Sequence, residues 1–144
     1  AITTDMHIDG TFAPETWDDA RTQYETLGPA AQTVVREVTK AMAFDREEYE
    51  SRVTGDVVET ARQAMFAETL SVTVGTAEEF DSWRNGFDGS VHVVGSDNVD
   101  SVAWHAGPDD GAVAATFQNE AEAAVATLRR VAFNRIYREE LCEP

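Results

Sequence analysis

The spacing of apolar residues changes period at Leu70, and that change limits the fold more than any other feature of the chain. Up to that point the pattern is helical. PETWDDARTQYETLGP reads as a short helix that opens near Glu15 or Thr16 and ends at Gly28-Pro29. Pro29 cannot continue a helix interior but suits the first turn of a new one. In PAAQTVVREVTKAMAF, Val34, Val35, Val38, Ala41 and Met42 follow the spacing of a buried helical stripe. Asp45 stands three residues before Glu48, a capping-box arrangement that starts a third helix. Another begins near Thr54 or Asp56 and turns Val57, Val58, Ala61, Ala64 and Met65 towards the core.

After Leu70, SVTVG alternates apolar and polar residues, which is strand spacing. Thr76 and Glu79 then cap a short helix, TAEEFDSWRNGF. Three strands follow, VHVV, SVAWHA and AVAATF, joined by the turn-rich GSDNVD and GPDDG. NEAEAAVATLRRVAFNRIYREEL closes the chain as a long helix capped by Asn119, with Ala121, Ala124, Val125, Leu128, Ala132 and Ile136 on one side. The order predicts a single α+β domain over residues 1–144. Residues 1–13 are irregular, 14–69 form about three to four helices, 70–118 hold a small, mostly antiparallel four-stranded sheet with one short inserted helix, and 119–141 form the C-terminal helix. Helices are expected to cover one face of the sheet. A split into a helical and a mixed subdomain is disfavoured, because the first half alone buries too little surface.

Charge sets the environment. The 144 residues carry 27 acidic and 11 basic side chains, for a net charge of −16, and Lys40 is the only lysine. Such self-repulsion is costly in dilute buffer but largely screened at molar salt, where the Debye length falls to about 3 Å. Acidic, lysine-poor composition fits a salt-in, KCl-rich archaeal cytoplasm; the competing reading is an ordinary acidic interaction protein. No apolar run approaches the roughly 18 residues of a membrane span, and the start lacks a signal-peptide pattern, so a cytoplasmic protein without a membrane partner is expected. Cys142, the only cysteine, has no second thiol to bridge with and reads as incidental.

VHVVGSDNVDSVAWHAG holds two of the three histidines. A hairpin across GSDNVD that pairs Val94 with Ala103 also sets Val93 opposite Trp104 and His92 opposite His105. That register gathers Val91, Val93, Val102 and Trp104 on a core face and leaves His92, His105 and Val94 on the other. Neighbouring imidazoles can begin a divalent-metal site, but zinc needs three or four ligands, and His7 and Cys142 reach the pair only if a terminus folds over the sheet. The same outer face, with Val94 and Ala103, is less polar than solvent faces usually are and suits a partner protein or a second copy.

Other chemistries find little support. There is no nucleophile elbow, no phosphate-binding loop and no dinucleotide fingerprint. Pairs such as Asp18-Asp19, Glu47-Glu48, Glu78-Glu79 and Asp109-Asp110 are too common in so acidic a chain to mark acid/base catalysis. Arg129, Arg130, Arg135 and Arg138 spread around the last helix instead of forming one stripe, and at −16 nucleic-acid binding is disfavoured. They read as partners of acidic neighbours, with Arg130 and Arg138 on the exposed side available for contacts.

GTFAPET, LGPAAQTVVREVTKAMAFDREEY, HVVGSDNVDSVAWHA and AVAATFQNEAEAAVATLRRVAFNRIYREEL together resemble a small haloarchaeal family of uncharacterised proteins, a domain of unknown function, over about Met6 to Leu141. The resemblance implies a halophilic archaeal, intracellular source and carries no activity, cofactor or catalytic residue. The sequence therefore predicts a non-enzymatic interaction or accessory domain, homodimeric or part of a larger assembly, with no cofactor. The alternative is a small metal-dependent or small-molecule enzyme built on His92 and His105 with a carboxylate or Tyr49.

Overall fold

A computed structural model describes residues 6–96, 99–108 and 110–142. The expectations for residues 1–5, the middle of GSDNVD and Asp109 lie outside the described residues. Among those described, the elements are β1 (His7–Asp9), α1 (Trp17–Ala41), α2 (Arg46–Arg52), α3 (Gly55–Thr69), β2 (Val72–Thr76), α4 (Ala77–Asn85), β3 (Ser90–Val94), β4 (Ser101–Ala106), β5 (Gly111–Phe117), α5 (Ala121–Ala132), a π-helical turn (Phe133–Tyr137) and α6 (Arg138–Cys142).

Most helix starts follow from their caps. Thr16 accepts from the Asp19 amide at 3.1 Å, Asp45 from Glu48 at 2.8 Å and Thr54 from Val57 at 3.4 Å. At α4 the capping box is complete, the Thr76 hydroxyl accepting from the Glu79 amide while the Glu79 carboxylate takes the Thr76 amide. The last helix departs from expectation: α5 begins at Ala121, after Glu120, without a side-chain cap from Asn119.

The break expected at Gly28-Pro29 is absent. α1 runs through Pro29 for 25 residues, and the flanking turns carry it past the missing hydrogen bond. Gly28 lies beside the Arg62 guanidinium, where α3 packs along α1.

The sheet is mixed, with strand order β1-β2-β4-β5-β3. It corrects three expectations. It has five strands, since His7–Asp9, in the segment predicted to be irregular, pairs antiparallel with β2. β3 and β4 are not a hairpin: β5 lies between them, antiparallel to β4 and parallel to β3. Helices cover both faces. On one, Val72, Val74, Ala103, Val113 and Ala115 meet Phe66, Val125, Leu128, Ala132, Phe133 and Tyr137. On the other, Val102, Trp104 and Ala114 pack under Phe80, with Trp83, Val91 and Val93 at the margin.

Phe66 centres the larger cluster. Its ring meets Phe12, Tyr24, Phe133 and Tyr137 edge-on, at centroid distances from 5.1 to 5.8 Å. Each such contact adds about 0.5–1.5 kcal/mol beyond area burial. The π turn completes this packing: the Arg138 amide reaches the Phe133 carbonyl, and the wider turn places Tyr137 wholly inside.

Candidate functional site

His105 and His92 are separated by a strand. Both stand opposite Val113, one on each side of β5, and so share a sheet face two strand spacings, roughly 9–10 Å, apart. The predicted face for these side chains holds, but the predicted neighbours do not. That face is also the main core face and not an outer one. His105 is 2% exposed, whereas His92 is exposed on the edge strand.

The surroundings of His105 fix its tautomer. Nδ1 lies 2.6 Å from the Ser71 carbonyl, which can only accept, so Nδ1 carries the proton. Nε2 is then the acceptor for the Tyr137 hydroxyl at 2.7 Å. Burial lowers the imidazole pKa, reinforced by the Arg129 charge and opposed by the Ser71 hydrogen bond; burial likewise raises that of Tyr137. The result is a neutral, doubly bonded histidine that joins β4 to the start of β2 and to the π turn. Both ring nitrogens of His105 are engaged, one by the Ser71 carbonyl and one by the Tyr137 hydroxyl, which leaves neither to bind a metal ion beside His92.

The other residues considered with this pair are elsewhere. His7 is on β1, at the opposite edge of the sheet from His92. Tyr49 lines a groove with Lys40 and Phe44. Among the described residues, no group of three or more His, Cys, Asp or Glu side chains is placed to hold a metal ion.

Cys142 faces a cavity of about 490 Å³ between α1, α3 and α6. The Tyr24 hydroxyl donates to the Glu59 carboxylate, which only accepts, leaving the Tyr24 oxygen to receive the Cys142 thiol proton across 3.2 Å. Gln63 Nε2 donates to Sγ at 3.5 Å. Arg62 closes the chain, 3.4 Å from Glu59, with its guanidinium over the Tyr24 ring and its Nε donating to the Tyr24 carbonyl at 2.7 Å. Burial raises the Tyr24 pKa, and the Cys142 and Glu59 contacts act in the same direction. The thiol and phenol donors therefore run towards Glu59, and the chain fastens α6 to the helical layer.

Arg129 is the buried cation that sequence reasoning missed. Its Nε donates to the Leu70 carbonyl at 3.0 Å and Nη2 to the Asp9 carbonyl at 3.2 Å, while the Asp9 and Glu68 carboxylates lie 3.6 and 3.8 Å from the guanidinium. Its position one residue after Leu128, on the buried arc of α5, was the available signal. Gly10 turns beneath it with φ +96°, and a Cβ there would strike the Leu70 carbonyl and the guanidinium.

The surface residues divide. Ala103 is fully buried, which removes it from any interaction surface, and Val94 is half-buried against the larger core cluster. Arg130 is exposed, and Arg138 is partly covered, bonded to Asn134 through Nε and Nη2 at 3.0 and 2.9 Å and lying over Phe133.

Met6, Ile8 and Val57 are exposed singly or in pairs on other segments, and a run of three exposed apolar side chains follows α1. Ala20, Leu27 and Ala31 lie on one side of that helix and pack into the core. At 100° per residue the same side continues through Val34, Val38 and Met42. There the core ends, and these three are 45%, 52% and 60% exposed. Val35 and Thr39, a little further round, stay buried.

With this geometry established, the chain belongs to a family of unknown function, DUF5809, whose model matches residues 11–138. Neither a curated protein nor a solved structure gives a significant match.

Proposed function

We propose that this chain is a non-enzymatic interaction domain that docks a partner protein on the projecting half of α1. The observation that carries this reading is the stripe of Val34, Val38 and Met42, a core-facing surface that outruns the core. Arg36 and Lys40 fall on the far side of the helix from Val38, so the stripe is free of cations and bounded by Glu37. An amphipathic helix offering aliphatic side chains is the complementary partner. The potentially reactive groups His105, Tyr137, Arg129 and Tyr24 are each held in hydrogen bonds that join elements. The charge of −16 with a single lysine supports the further reading of a halophilic, KCl-rich cytoplasm.

A photo-cross-linking side chain at position 38, used in molar KCl with proteins of the source organism, tests the docking face. The expected result is a discrete adduct with one partner, lost when Val34 and Met42 are changed to Ser. An adduct with no partner, or one unchanged by those substitutions, overturns the reading.

A further inference from the structure

The two edges of the sheet are not alike. β1 is three residues long and carries Asp9, which Arg129 fastens from above, before the chain turns away at Gly10. Short, charged and kinked edges resist further pairing. β3, at the other edge, has five residues, Ser90–Val94, with no charged side chain, no proline and no bulge.

Its backbone polarity can be read from one bond. The Ser90 amide donates inward to the Asp110 carbonyl at 2.9 Å. Along a strand the amide and carbonyl of one residue point to the same edge and alternate, so His92 and Val94 also turn theirs towards β5. Val91 and Val93 turn theirs away from β5, to the side where no described strand lies.

We propose that β3 pairs antiparallel with β3 of a second copy, about a two-fold axis at His92, making one continuous sheet across both subunits. In this register Val91 exchanges both backbone hydrogen bonds with the partner's Val93, which satisfies the outward groups of both strands. The side chains agree with it. Val91 and Val93, half-buried at the margin of the Phe80–Trp104 cluster, meet their counterparts on the same face, so the apolar layer continues across the axis. His92 and the partner's His92 form a non-hydrogen-bonded pair, the closer of the two antiparallel spacings, with Cα atoms about 4.5 Å apart. A second copy suits this edge because β3 carries no carboxylate to set against its like in an identical, acidic chain, and molar salt screens the remaining repulsion. The surface is distinct from the α1 stripe, and either can fail without the other.

Cross-linking tests the register directly. His92→Cys is made in a Cys142→Ser background, leaving one thiol per chain, and is oxidised gently at micromolar protein in molar KCl. The spacing at the axis suits a disulfide, and most of the chain is expected to become covalent dimer. Ser90→Cys in the same background is the control: Ser90 faces the partner's Val94, its own counterpart is far away, and little dimer is expected. Light scattering on the unmodified protein should give the dimer mass, and His92→Glu, which sets two carboxylates together, should raise the dissociation constant at least tenfold. An unmodified protein that stays monomeric, or Ser90→Cys linking as readily as His92→Cys, overturns the proposal. Binding of a foreign extended peptide to a monomeric chain overturns it in favour of a different occupant.

Discussion

His105 has a different role from the one its position in the sequence invited. Nothing in the residue type separates a ligand from a buried link, and the bond that decides it comes from Tyr137, 32 residues away. Replacing Tyr137 by Phe keeps the ring packing and leaves Nε2 a buried acceptor without its donor, so we expect a loss of about 1–3 kcal/mol in denaturant unfolding. The pH dependence has a definite sign. The folded protein holds His105 with a lowered pKa, so the unfolded chain takes up the proton first. This contribution is complete above the unfolded value of about 6.5 and is lost as pH falls through it towards the lower folded value, at up to about 1.4 kcal/mol per pH unit. Comparing the unfolding free energy of His105→Gln with that of the parent chain from pH 8 to pH 5 isolates it, and a constant difference would exclude it. Tyr24→Phe is a parallel case: it breaks the donor chain between Cys142 and Glu59, and about 1–2 kcal/mol of destabilisation is expected.

Among the elements, local signals were legible and non-local ones were not. Asp45, Thr54 and the Thr76–Glu79 box mark helix starts because a cap is a contact within three residues. Strand alternation put His92 and His105 on one face and Trp104 on the other, as found, because parity survives any change of neighbour. It cannot say which strand lies alongside, and GSDNVD, short enough for a hairpin, instead joins strands that β5 separates. The apolar stripe of α1 was misread for a similar reason. Periodicity reports which side of a helix is apolar, but not whether the helix is longer than the layer beneath it. Pro29 reads as a boundary because it removes one hydrogen bond, a local cost that the packing of α1 along α3 outweighs. Pro29→Ala should restore that bond and raise the unfolding free energy by about 1–2 kcal/mol, after the greater freedom of the unfolded chain is deducted. Conversely, Val34→Ser with Met42→Ser should cost no more than about 1 kcal/mol of folding stability, since the two side chains are already 45% and 60% exposed. A larger loss on calorimetry would mean the stripe belongs to the core.

For the whole molecule, charge and topology act on different quantities. The −16 charge sets the conditions under which the fold persists and says little about which fold it is. Raising KCl from 0.1 M to molar levels should raise the melting temperature, most steeply at the dilute end, where the Debye length is about 10 Å and acidic neighbours still repel one another. A melting temperature independent of salt would remove the halophilic reading and leave the fold untouched. Topology governs the order of assembly, and here the Arg129 clamp has a consequence during synthesis. The guanidinium meets Asp9 across 120 residues of chain. The first strand can find β2 early, and Phe12 can pair beside Leu70, yet the guanidinium arrives only when α5 has left the ribosome, so for most of translation that edge of the sheet is held without its clamp.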